Sequence, residues 1–278
     1  MAEGPEVVLL TAPRSGHRTG PPSAPYERGR DSLLAEALMD RGLRPIMWWD
    51  HPLGPCVAME PSLIVIRSSK APQLDRAAAF AAQGLPTVNA LGPHRAATDK
   101  AHQAAVFASA GIAHPVTYTE RPAVLPDGPV VRKPRRGAGG VGVELLNEFP
   151  GAIDDEFLIQ SYVHVVEDYR VTVVGGRAVS WAKRTPLAGE FRSNLKQGAT
   201  MEVASPPSVE AHDLVLAAVA ALELDIAGVD LVLGDAGPCI IEANAATTLF
   251  GPSPAATAAT IAAVADLVYD RVSAKEQM

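Results

Sequence analysis

Apolar residues fill the first ninety positions in short unbroken blocks, separated by stretches with helical spacing. Glu6–Thr11 (EVVLLT) predicts a buried strand, and Asp31–Arg41 (DSLLAEALMDR) an amphipathic helix stopped by Gly42. Pro45–Trp49 and Leu63–Ile66 (LIVI) predict two further strands, with an Ala-rich helix following from Pro72 to Gln83. This strand–helix alternation predicts a small parallel sheet. Ala12–Gly29, rich in Pro, Gly and Arg, forms a long connection that is either functional or flexible.

A helix is predicted from His94 to Gly111, with Thr98 and Asp99 as candidate caps. After Pro115 the pattern changes to short strand-like runs: Val130–Arg132, Val141–Leu146, Phe157–Ser161, Tyr169–Val174 and Ala178–Lys183. Gly, Pro or charges divide them, which is an antiparallel texture, and Gly175-Gly176 predicts a two-residue hairpin turn. A helix over Val209–Leu224 precedes a hairpin, Gly228–Leu233 with Pro238–Ala243, and a final helix is expected over Ala255–Val272.

The chain has 278 residues, with 31 Asp+Glu against 24 Lys+Arg, giving a net charge of −7. That balance argues against a nonspecific nucleic-acid binder, which needs a basic face. The opening MAEGPE is acidic and Val7–Leu10 is too short for a signal core, so no secretory signal is expected. No apolar stretch approaches the roughly 20 residues of a membrane span. Cys56 and Cys239 cannot make a four-thiolate zinc site and read as buried or incidental thiols in a reducing compartment, so a cytoplasmic protein is expected. The seven histidines show no ligand spacing, and no GxSxG elbow is present.

Two segments carry candidate chemistry. VVRKPRRGAGGVGVELL contains Gly137-x-Gly139-x-x-Gly142, a literal dinucleotide fingerprint. A dinucleotide loop must open a long helix, whereas here β-prone sequence follows and Pro150 forbids one. What remains is a strand–glycine loop–strand hairpin whose N–H groups can fold over phosphates, with Lys133, Arg135 and Arg136 at its mouth. The second segment is the late hairpin, with Asp230 in GVDLVL and Glu242 and Asn244 in CIIEANA. Glu242 and Asn244, two apart in one strand, share a face. A surface polar patch is the plain alternative. Acids inside two apolar strands are costly unless a cation compensates, and hard oxygen donors suit Mg²⁺.

Taken together, the motifs TDK at Thr98–Lys100, VVRKP with its glycine loop, FLIQSYV, DYRVTVVGGRAV, AKR, EFRSNLKQGA, GVDLVL and IIEANA resemble the ATP-grasp superfamily. The resemblance runs from Ala97 to Leu249 and is greatest to the group with the ribosomal-protein glutamate ligase, the lysine-biosynthesis aminoadipate ligase and bacterial glutathione synthetase. It implies an α/β (α+β) fold: an N-terminal parallel-sheet domain over residues 1–93 and an ATP-grasp domain over 94–278. The latter would hold a small lid subdomain over about 115–163 and a C-terminal antiparallel-sheet subdomain. By the same resemblance Lys100 and Lys133 contact phosphates, and Gly137, Gly139 and Gly140 cover them. Gln160, Ser161, Tyr162 and Val163 form a hinge that hydrogen-bonds adenine, largely through backbone. Asp168 is the ribose-side acid, Ser193 joins the nucleotide contacts, and Arg184, Arg192 and Asn194 are the catalytic set. Asp230, Glu242 and Asn244 hold two Mg²⁺ ions, with Mn²⁺ as a substitute.

The activity implied is an ATP-dependent ligase that makes an acyl phosphate and joins it to an amine, with an amino-acid substrate. A kinase releasing a phosphorylated product and a non-catalytic nucleotide-binding module are the alternatives. The acceptor is a small molecule, a peptide or a carrier protein. The −7 charge disfavours a strongly acidic carrier, unless the basic stretch Arg14–Arg30 offsets it. No nucleic acid and no membrane are expected as partners, and the resemblance implies a homo-oligomer. After Asn244 the chain departs from the group, reading AATTLFGPSP in place of a Ser-Pro-Gly continuation.

Overall fold

The computed structural model describes residues 4–11, 31–48, 60–190, 193 and 198–277. The predicted Ala12–Gly29 connection, Trp49, Cys56, Arg192 and Asn194 lie outside these residues.

The first layer is a parallel sheet of β1 (Glu6–Leu10), β2 (Arg44–Trp48), β3 (Leu63–Ile66) and β4 (Thr87–Val88), in the order β2-β1-β3-β4. Strand alternation divides β1 between two cores. Val7 and Leu9 join α1 (Ser32–Met39) through Leu34 and Leu38. Val8 and Leu10 face the other way, against Leu74 and Ala77 of α2 (Ala71–Ala81).

The expected helix over 94–111 is two helices, α3 (Leu91–Ala96) and α4 (Lys100–Ser109). The break has a local cause: Asp99 is extended and its side chain accepts from the Ala101 N–H, so it caps a new helix. Lys100 thereby becomes the first residue of α4.

Two antiparallel sheets follow. One contains β5 (Thr117–Tyr118), β6 (Val130–Pro134), β7 (Glu144–Leu146) and β8 (Phe157–Ser161), in the order β5-β8-β6-β7. The predicted strand over 141–146 shortens to β7, because Gly139, Gly140 and Gly142 keep residues 137–143 in turns. The other contains β9 (Val165–Val174), β10 (Arg177–Thr185), β11 (Thr200–Val203), β12 (Ile226–Gly234) and β13 (Gly237–Asn244), in the order β11-β10-β9-β12-β13. Gly175 and Gly176 both adopt positive φ and join β9 to β10 as a two-residue turn.

This five-stranded sheet packs one face on α5 (Val209–Ala221), where Tyr169, Val171, Val173, Val229 and Leu231 meet Val215 and Val219. At its far end Val174 and Ile226 join the core of the first layer through α6 (Pro254–Glu276), whose Ile261, Val264 and Val268 lie between the two. No helix of the described residues is long and apolar enough to cross a membrane.

Candidate active site

The cleft face of the five-stranded sheet follows from parity. Because residues 169, 171 and 173 of β9 enter the α5 core, Asp168, Arg170 and Thr172 must point the other way. On β12 the same rule turns Gly228, Asp230 and Val232 to the cleft, opposite buried Val229 and Leu231. In β13 the register shifts between the pairs Asp230↔Glu242 and Leu231↔Ile240, so Ile241 is an extra residue. That bulge lets Ile240 and Ala243 fill the core while Ile241 and Glu242 both line the cleft. Arg170, Asp230 and Glu242 thus stand side by side across three strands.

β13 is an edge strand, and its outer backbone is held by side chains. The carboxamide of buried Gln103, from α4, donates to the Ala243 carbonyl at 2.9 Å and accepts from the Ala243 N–H at 2.8 Å. Asn89 does the same for the hairpin base, bonding both backbone groups of Ile226 and the Ala245 carbonyl. Glu242 and Asn244 flank Ala243, and Asn244 Nδ2 donates to Glu242 Oε1 at 2.9 Å.

The facing wall is the four-stranded sheet. Lys133 projects from β6 and is 5% exposed. The glycine loop beyond it is anchored at its root: Arg135 bonds both oxygens of Asp99 at 3.2 and 2.7 Å. Lys100 Nζ donates to the Gly137 carbonyl at 2.8 Å and lies 3.4 Å from Glu242 Oε2, so one ammonium touches both walls. Gly139 and Gly140 sit at φ of +75° and +71°, a region that L side chains rarely adopt. The enclosed space is about 970 Å³, counted out to its solvent-open mouth.

Among the described residues Lys100, Lys133 and Arg184 line the cleft with Asp168, Asp230 and Glu242, and Arg170 on the same sheet face bonds Asp230. Asp230 is buried, which by itself raises a carboxyl pKa; Arg184 at 3.1 Å and Arg170 at 2.7 Å outweigh this and hold it below the usual range. An unpaired charge there would cost several kcal/mol. Arg184 also pairs with Asp168 at 2.5 Å, and Ser193 donates to the same carboxylate. Burial nevertheless pushes Asp168 up to about 6, against the pull of Arg184. Burial brings Lys133 down to about 8, with Glu242 opposing and Lys100 assisting that shift. Cys239, also facing Lys133, is pushed up to about 11 by burial, so it stays a thiol.

The structure brings Lys100, Lys133, Gly137, Gly139, Gly140, Gln160, Ser161, Tyr162, Val163, Asp168, Arg184, Ser193, Asp230 and Glu242 to this one cleft. Asn244 joins through Glu242. Some polar groups of the hinge are already engaged within the sheet. Gln160 is buried with its amide on Thr117, and the Ser161 and Tyr162 N–H groups bond Val116 and Pro129. Sequence reasoning missed Arg170, Gln103 and Thr247. Arg170 had a signal, since DYRVTVV places two charges and a threonine on one face of an apolar strand. Gln103 and Thr247 had none.

An antiparallel sheet carrying paired carboxylates, faced by a lysine-bearing sheet with a glycine loop and preceded by a parallel layer, defines an ATP-grasp fold. Residues 97–264 match the RimK-like ATP-grasp domain, and the chain belongs to that family. It is 31% identical over 191 residues to a probable alpha-L-glutamate ligase of Parasynechococcus marenigrum (strain WH8102), covering 62% of this chain and 41% of that protein. The chain therefore spans about two fifths of that relative. Among solved structures, a RimK domain ATP-grasp protein from Sphaerobacter thermophilus superposes with a TM-score of 0.66 at 18% identity, over 94% of this chain and 98% of the other. A D-alanine--D-alanine ligase from Bacillus anthracis complexed with ATP gives 0.68 at 14%, over 99% and 100%.

Proposed function

We propose that this protein is an ATP-dependent, ADP-forming ligase that activates a carboxylate as an acyl phosphate and joins it to an amine, with an amino acid among its substrates. The observation that carries the reading is the cross-strand row Arg170–Asp230–Glu242 facing Lys133 and the glycine loop. Chemistry that packs polyphosphate beside a carboxylate needs cations on both walls and hard oxygen donors between them.

The donor set fits a divalent ion. Asp230, Glu242 and Asn244 offer carboxylate and amide oxygens on one hairpin face, the chemistry that suits Mg²⁺ or Mn²⁺. We take these three as the residues that would hold two ions, whose positive charge would offset the negative charge of the phosphates. Lys133 and Lys100 would hold the phosphates under Gly137, Gly139 and Gly140. Val163 is the hinge position left to read adenine, since the Ser161 and Tyr162 N–H groups are engaged. Asp168 and Ser193 serve the ribose side. Arg184, with Arg192 and Asn194 from the adjoining segment, would steady the reacting carboxylate. A carboxylate oxygen attacks the γ-phosphorus, and the bond to the β-phosphate oxygen breaks to release ADP. The amine then attacks the acyl carbon, phosphate leaves with the C–O electron pair, and the amine loses a proton.

The same reading takes residues 1–93 as the N-terminal parallel-sheet domain that precedes the ATP-grasp domain, and 94–278 as the ATP-grasp domain, with a lid over about 115–163. Every strand of the glycine-loop sheet lies within residues 117–161, which supports that lid. It also takes the protein as cytoplasmic and homo-oligomeric. L-Glutamate is the first amino acid to test, both as the acid and as the amine, given the name of the matched relative. The experiment is ADP release with mass-spectrometric product detection over pairs of amino acids with ATP. Amine-dependent ADP release with an amide product supports the ligase. A phosphorylated acid that accumulates without amine identifies a kinase, and no turnover with any pair identifies a binding module.

A further inference from the structure

The segment after Asn244 begins Ala245-Ala246-Thr247, and Thr247 is buried where the N-terminal layer meets the cleft. It touches an arginine from each. Its hydroxyl accepts from Arg170 Nη2 at 2.9 Å, and its carbonyl accepts from Arg67 Nη2 at 3.0 Å. Arg67, just past β3, gives its Nε to Asp31 at 3.0 Å. Arg170 gives its other terminal nitrogen to Asp230 at 2.7 Å. A continuous chain of polar contacts therefore runs Asp31–Arg67–Thr247–Arg170–Asp230.

The backbone makes room for this chain. A Cβ on Gly228 would stand 2.1 Å from Thr247 Oγ1 and 2.3 Å from Arg170 Nη2. An arginine held by a single carboxylate oxygen can pivot about that contact, and its free side chain carries about 2 kcal/mol of rotamer entropy. A second bond, to a buried hydroxyl that itself donates to the Thr248 carbonyl at 3.3 Å, fixes the plane of the guanidinium. Arg170 lies two residues beyond Asp168 along β9, on the side away from the hinge. On the ligase reading, that is the side on which the reacting acid would sit.

We infer that Thr247 is a positioning residue that fixes the Arg170 guanidinium at the acyl end of the cleft and ties it, through Arg67, to the N-terminal sheet. The functional half of the inference rests on the ligase reading; the structural half does not. Two measurements keep them distinguishable. In arginine-¹⁵N-labelled protein, Arg170 (assigned by its loss in Arg170→Lys) should show separate, slowly exchanging Nη–H signals. Thr247→Val, which keeps the shape and removes the hydroxyl, should average them, and Thr247→Ser should restore them. Gly228→Ala should reproduce the Thr247→Val spectrum by displacing the same pair. In ADP release with ATP and L-glutamate, or whichever acid supports turnover, Thr247→Val should raise the KM of the acid about tenfold. The KM of ATP should stay within about twofold, and Thr247→Ser should recover the acid KM. Unchanged Arg170 signals in Thr247→Val overturn the inference whether or not any acid is turned over. So does an acid KM that stays at the native value.

Discussion

The two walls of the cleft are built on opposite plans. The carboxylate wall is dense with side-chain bonds: Asp230 is held by two arginines, Glu242 by Asn244 and Lys100, and the edge strand between Glu242 and Asn244 by Gln103. The glycine wall acts through backbone, with φ values that only glycine adopts readily and its main side-chain anchor at the root, Arg135 on Asp99. The lesson is a division of labour. Groups that must stay in fixed geometry sit on a strand locked from both sides, while groups that must approach and leave a substrate sit on a glycine loop whose backbone does the contacting.

Glu242→Ala tests that contrast most severely. It removes a ligand from the fixed wall without opening the core, so ADP release should fall at least about a thousandfold. The melting temperature should stay within a few degrees. Normal turnover in a folded variant would strip the hairpin of its metal role. Gln103→Ala removes support rather than chemistry. It leaves the N–H and C=O of Ala243 without their partner, at about 1–3 kcal/mol for each orphaned group. Urea unfolding should show a loss of roughly 2–4 kcal/mol, with turnover reduced about tenfold. Full activity in a destabilised protein would mean that the ligands do not depend on the locked edge.

Gly139→Val with Gly140→Val tests the other wall. β-Branched residues resist positive φ, so the KM of ATP should rise about tenfold while stability changes by less than about 1 kcal/mol. The opposite pattern, lost stability with normal kinetics, would make the loop a structural connector. The smallest effect on turnover is expected outside both walls. His94 is fully buried beside Arg67, and burial first, then that arginine, brings its pKa down to about 4. The unfolded chain, near the ordinary 6.5, binds the proton that the folded state refuses. Its contribution is therefore complete above pH 6.5 and lost as pH falls towards 4, by up to about 3 kcal/mol. Unfolding free energies of His94→Gln from pH 7 to 4 should be flatter than those of the native protein. A parallel curve would refute this.

Most of the glycine wall could be read from the sequence, because its chemistry is a local string: a strand, a lysine, glycines and a second strand. The shared face of Glu242 and Asn244 was legible for a related reason, since two-residue spacing within an apolar strand fixes a face. Arg170 was half visible, its face set by alternation but its partner set only by the register of β9 against β12. Gln103, Asn89 and Thr247 left no trace, because each bonds backbone that is more than 130 positions away or an arginine on another strand. The split of the 94–111 helix at Asp99 lay between these cases. The cap residue was recognisable, but not that its extended backbone breaks the run and starts a second helix.

The position of α6 sets an order on how the molecule comes into being. Its apolar face closes the core of a sheet whose strands begin at Glu6, and Arg41 of the first layer reaches across to Asp266 and the Ala262 carbonyl. On a ribosome, Val7, Leu9, Leu34 and Leu38 emerge early and must wait for Ile261, Val264 and Val268 before that side is covered. In the meantime the first layer carries an open apolar surface. The antiparallel sheets, whose partners are near in sequence, can form earlier. Nascent chains stalled before Pro254 should thus protect β9–β13 from protease while leaving the first layer open to it, with closure arriving only as residues 254–276 are released.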